Sequence, residues 1–116
     1  MFDDVTSQAL HVALSGLAMR QRVIANNIAN IQTPGYQAGK VDFEGALAAA
    51  VAGGAEPDRV RPTLATSLEP SQLNGNNVNL DEETLSNVDT NLRYQLALRA
   101  VDGKFGLISD VLKGGA

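Results

Sequence analysis

All four prolines of this chain, Pro34, Pro57, Pro62 and Pro70, lie between residues 34 and 70. Proline lacks a backbone donor, and its ring clashes with the preceding helical turn, so long helices are confined to the proline-free arms at either end. Six of the 11 glycines fall between residues 35 and 75, reinforcing the same partition. The chain therefore divides into an N-terminal helical arm (1–32), a connection (33–79) and a C-terminal helical arm (80–116).

The first arm reads as a helix from about Val5 to Ile31. Leu10, Leu17, Ile24 and Ile31 recur every seven residues, and Leu14 and Ile28 each follow a member of that series by four. This three-four spacing forms one helical stripe, the pattern of a coiled-coil-like seam. Gln21 fills the remaining seam position, and Gly16 costs about 1 kcal/mol against alanine inside a helix. Asp3 and Asp4 open the helix, and Arg20 and Arg22 lie toward its end, in the sense that complements the helix dipole. In the second arm, Asp81 is the expected N-cap, followed by Glu82 and Glu83 in the first turn. Tyr94, Leu98, Val101, Phe105, Ile108 and Leu112 then repeat at alternating spacings of four and three, with Leu85, Val88 and Leu92 extending the apolar face. The fold class expected is all-α: two long helices paired as an antiparallel hairpin, Leu10, Leu14, Leu17, Ile24, Ile28 and Ile31 against Leu98, Val101, Phe105, Ile108 and Leu112. Between them, 35–43 reads as extended, 43–52 as a short alanine-rich helix and 53–79 as loop, with a strong turn at Asn74-Gly75-Asn76-Asn77.

Composition closes off most chemistry. A chain of 116 residues is one domain's worth. With no cysteine there is no disulfide, thiol nucleophile or cysteine-based zinc site, and a single histidine, His11, builds neither a metal cluster nor a triad. A net charge of −4 argues against nucleic acid as a partner. Asp81-Glu82-Glu83 lacks the alternating oxygen ligands of an EF-hand, and the glycines around residues 45–54 lack the lysine of a phosphate-binding loop. The N-terminus is acidic where a secretory signal is basic. No catalytic, cofactor-binding or metal-binding residues are expected, and no cofactor or small-molecule substrate.

Charged residues make up 19% of the chain, against about 25% in an average soluble domain. The deficit is local: between Val5 and Gly39 the only formal charges are Arg20 and Arg22. A helix faced with serine, glutamine, asparagine and alanine suits either a small soluble bundle or an arm surrounded by other subunits, where packing against charge would be costly. The second reading is preferred, and with it the expectation that the chain gains helix on assembly.

The most informative segment is Asn26-Asn27-Ile28-Ala29-Asn30, followed two residues later by Thr33-Pro34-Gly35-Tyr36. Physically it is a helix stop, with asparagines able to cap carbonyls or bond to neighbours, and a type II turn with proline second and glycine third. It also closely resembles the signature of the bacterial flagellar rod and hook proteins, the axial family. The flanks Arg20-x-Arg22-Val23-Ile24-Ala25, Tyr36-Gln37-Ala38 and Val41-Asp42-Phe43-Glu44-x-Ala46-Leu47 resemble its small proximal-rod members, as do 74–83 and Leu92-Arg93-Tyr94-Gln95. The resemblance spans roughly 5–47 and 74–112, with Gly39-Lys40 a local departure.

The resemblance implies a structural subunit of the proximal rod of the flagellar basal body. Such a protein assembles helically around the export channel and transmits torque. It is exported to the periplasm by the flagellar type III system without a cleaved signal. The implied partners are other rod subunits, copies of itself, the rod-base adaptor protein, the export gate and the membrane ring. Asn26, Asn27, Ile28, Ala29, Asn30, Thr33, Pro34, Gly35 and Tyr36 are then the assembly motif, supplying the turn and inter-subunit contacts. Alternatives are another small rod protein, or a secreted helical-hairpin binding module or export chaperone.

Overall fold

The computed structural model describes residues 4–112, with side chains placed through residue 103. Two long helices, α1 (Val5–Ala29) and α3 (Leu80–Leu112), run side by side. Gln21 bonds Asn91 while Asn27 bonds Glu83, so sequence rises on one helix as it falls on the other and the pair is antiparallel. The connection is more ordered than expected. It holds a strand β1 (Gly39–Asp42), a helix α2 (Glu44–Ala52), a single 3-10 turn (Pro57–Arg59) and a second strand β2 (Thr63–Thr66). β1 and β2 pair antiparallel, with Gly39 opposite Thr66 and Val41 opposite Leu64. The all-α expectation is corrected accordingly: β1 falls in the stretch 35–43 that reads as extended, and its partner β2 sits where 53–79 reads as loop. Four-residue strands carry too little pattern to announce themselves, and β2 is exposed at every position, so it shows no alternation.

The helix ends explain themselves. Asp4 caps α1 by accepting from the Ser7 amide at 2.8 Å. The helix stops at Ala29, two residues short of expectation, because Asn30 leaves helical geometry and Pro34 disfavours a helical Thr33. Thr33 and Tyr36 close the turn with a 3.2 Å bond around Gly35 at φ +74°, the type II geometry that only glycine accepts without strain. At α3 the cap is Asn79, not Asp81: its Oδ1 accepts from the Glu82 amide, which moves Asp81, Glu82 and Glu83 all into the first turn.

The core is small. Leu17, Val41 and Phe43 form its centre, with Ala13, Met19, Val23, Leu47 and Tyr94 packed around them. Gly16 earns its place in α1 here, since a Cβ would lie 2.4 Å from the Phe43 ring. The molecule measures 65 × 28 × 14 Å with a radius of gyration of 17.9 Å, against about 13 Å for a compact domain of this length. The accessible surface, 7438 Å², is about a fifth larger than the roughly 6,100 Å² a globular chain of this mass presents. The chain is flat and elongated, with more surface than a compact domain of its mass presents.

Candidate assembly surface

The motif asparagines have distinct fates. Asn27 is 1% exposed and fully satisfied. Its amide nitrogen donates to the Gly39 carbonyl (3.0 Å) and to Glu83 Oε1 (3.1 Å), and its oxygen accepts from the Gly39 amide (2.9 Å) and the Tyr36 hydroxyl (3.3 Å). One side chain thus ties α1 to β1 and α3. Glu83 is itself buried, with Lys40 Nζ 3.7 Å from Oε1 and no hydrogen-bond partner on Oε2 among the described residues. Lys40 also pairs with Glu82. Glu82 meets the Glu69 carboxyl as well, which holds Glu82 below the usual carboxylate range and pushes Glu69 above it.

Asn30 stays local, donating to the Asn26 carbonyl and accepting from Thr33 Oγ1. Two asparagines read from sequence only as turn formers complete the junction. Asn76, with no exposed surface, donates to the carbonyls of Asn30 and Thr33 at 2.8 and 2.9 Å, satisfying the backbone just past the end of α1. Asn77 accepts from the Ala38 amide and donates to the Ser67 and Glu69 carbonyls. The Gly35 amide bonds the Asn74 carbonyl, and a Cβ on Gly75 would sit 3.2 Å from the Gly35 Cα. The two turns are therefore zipped together by amides. The motif's buried half is spent inside the chain, whereas Asn26, Ile28, Ala29, Thr33 and Pro34 remain exposed.

Arg20, expected from sequence to complement the dipole of α1, pairs with Glu44 of the same chain. The guanidinium donates two 2.6 Å bonds to Glu44 and a third to the Val41 carbonyl, and it lies 5.2 Å above the Phe43 ring. The bidentate pair holds Glu44 below the usual carboxylate range. This pairing spans 24 residues, and no sequence spacing announces it.

The expected helix-pairing residues divide. Leu17 and Ile24 are buried, and Leu10, Leu14, Ile31 and Val101 half-buried. Ile28 is 37% exposed and Leu98 41% exposed, so neither is covered by the hairpin. The side chains of Phe105, Ile108 and Leu112 lie outside those described. The register also corrects the pairing: with Asn27 opposite Glu83 and Gln21 opposite Asn91, Ile24 and Ile28 lie beside the first turns of α3, not its C-terminal half.

The reason is that α3 is turned around. Its covered face is Glu83, Ser86, Thr90, Tyr94, Ala97 and Val101, mostly polar or small. Its opposite face, Leu85, Val88, Leu92 and Leu96, is 55–72% exposed. A helix that hides threonine and glutamate while showing leucine is inverted for a free molecule. Each of these side chains leaves roughly 100 Å² open, on the order of 2 kcal/mol when covered. Among the described residues no helix is long and apolar enough to cross a membrane, and no cluster of three histidine, aspartate or glutamate residues could hold a metal ion.

Residues 10–37, most of α1 together with the amide-rich junction that follows it, match the family model described as flagella basal body rod protein. The chain is 34% identical to the flagellar basal body rod protein FlgB of Bacillus subtilis (strain 168) over an alignment covering 95% of each chain. It is also 34% identical to FlgB of Escherichia coli (strain K12) and 35% identical to FlgB of Salmonella typhimurium, covering 89% of both partners in each case. With identity of this level running through both arms and the junction between them, the chain belongs to the family of flagellar basal body rod proteins.

Proposed function

We propose that this chain is a structural subunit of the bacterial flagellar rod, assembling with copies of itself and with other rod subunits. The observation that carries the reading is the inverted helix α3, whose leucine face is left exposed by the rest of the chain. Burial of that face by neighbours supplies the stabilisation that the small core of Leu17, Val41 and Phe43 lacks. The names of the relatives support the location, and the reading extends to the finer assignments the family implies. These are a place at the rod's base around the export channel, transmission of torque, export through the flagellar type III system, and contact with the rod-base adaptor, export gate and membrane ring. The role is mechanical, not catalytic.

The test is replacement of Pro34 and Gly35 together. Pro34→Ala with Gly35→Val removes the φ restraint and puts a β-branched residue where φ is +74°. In a flagellated host relying on this chain, the variant should be expressed but absent from purified basal bodies, and the cells non-motile. Normal motility would overturn the reading of the turn as an assembly element. Absence of the unaltered chain from basal bodies would overturn the function.

A further inference from the structure

The surface that α3 leaves open has a counterpart elsewhere on the same molecule. Leu85, Val88, Leu92 and Leu96 stand in one line along α3, a ridge about 16 Å long at 1.5 Å per residue. On another side of the chain, α1, α2 and the seam edge of α3 enclose an open apolar trough of about 580 Å³. Its walls are largely small residues, among them Ala9, Ala13, Ala48 and Ala52, and its α1 wall from Ala9 to Leu17 runs about 12 Å. Branched side chains in a row and a trough walled by alanine are the two halves of ridge-into-groove helix packing. The ridge points away from the seam that borders the trough, so no copy can fill its own.

Resting on the rod-subunit reading above, we propose that the α3 ridge of one copy seats in the α1–α2 trough of the next copy of this chain. Two observations favour a second copy as the occupant. The ridge exposes on the order of 400 Å² of mostly apolar surface, as large as the biggest patch most monomers tolerate and a substantial core for a standard interface. Its members from Leu85 to Leu92, about 10 Å along the helix axis, fit within the trough wall of about 12 Å. Because ridge and trough are different surfaces, the contact is heterologous. Each copy added leaves one ridge and one trough free, so the contact propagates into an open array and does not close as a two-fold dimer.

The chain has no cysteine, so disulfide trapping has no background. Leu92→Cys marks the ridge and Ala48→Cys the trough, both at exposed positions. Concentrated full-length chain is oxidised with copper–phenanthroline and resolved by mass. The double variant should give a ladder of covalent multimers. An equimolar mixture of the two single variants should give heterodimers and stop there, and either single variant alone should remain monomeric. Homodimers from Leu92→Cys alone would overturn the proposal in favour of a two-fold ridge-to-ridge contact. An absence of cross-links at every concentration would also overturn it. Recovery of the unaltered chain in purified basal bodies is scored separately. A chain present there but without the 92–48 cross-link refutes this contact and leaves the rod function standing, whereas a chain absent from basal bodies refutes the function.

Discussion

Asn26 and Asn27 are neighbours of one residue type on one helix, and the structure assigns them opposite weights. Truncating Asn27 to alanine leaves the Gly39 amide, the Gly39 carbonyl and the Glu83 carboxylate each short of a partner at a site with 1% exposure. Neutral bonds contribute about 1 kcal/mol each and a bond to a charged group about 1.5–3 kcal/mol. The expected loss for Asn27→Ala is therefore about 4 kcal/mol. That is a large share of the roughly 5–15 kcal/mol that holds a domain together. Asn26→Ala touches an exposed side chain and exchanges a poor helix former for the best one, so it should change stability by less than about 0.5 kcal/mol. Urea denaturation followed by far-ultraviolet circular dichroism measures both. Equal losses for the two variants, or a loss below about 1 kcal/mol for Asn27→Ala, would refute the reasoning that the polar junction, not helix propensity, fixes this end of the molecule.

Gly16→Ala should destabilise by about 1–2 kcal/mol although alanine favours helix, because the new Cβ drives into the Phe43 ring; adding Phe43→Leu should restore part of the loss in the same denaturation assay. Glu44 is held below the usual carboxylate range by Arg20, so its contribution is present above the unfolded value near 4.5 and is lost as pH falls through the lower folded value. Urea midpoints measured from neutral to acid pH should therefore drop less steeply for Glu44→Gln than for the parent, and parallel slopes would refute the pairing. Asn76→Ala should uncouple the two turns, costing about 2–3 kcal/mol and speeding amide exchange at the residues following α1.

The arms were legible from sequence because a 3.6-residue period over two dozen positions is a strong signal, and because proline marks where it must stop. Which face of α3 points inward was not legible. The apolar series through Leu85, Val88 and Leu92 is real, but periodicity identifies a stripe without saying whether the chain itself or a neighbour covers it. Arg20–Glu44 and Phe43–Gly16 join residues more than 20 apart, and a lone helical glycine carries only the hint that something large lies against it. The motif Asn26–Tyr36 was recognisable as a unit, yet its division into a buried bonded half and an exposed half depends on Gly39, Glu83 and Asn76, which lie outside it in sequence.

The chain's flatness has a mechanical consequence. Resistance to bending rises with the cube of a slab's thickness, so a sheet of matter 14 Å deep is compliant across its face however rigid its two helices are along their axes. A lone copy is accordingly poor material for a shaft. Stiffness against flexing and twisting comes only when layers are bonded face to face, so that neighbouring copies shear and bend as one body. For this chain, rigidity is a property of the stack and not of the part.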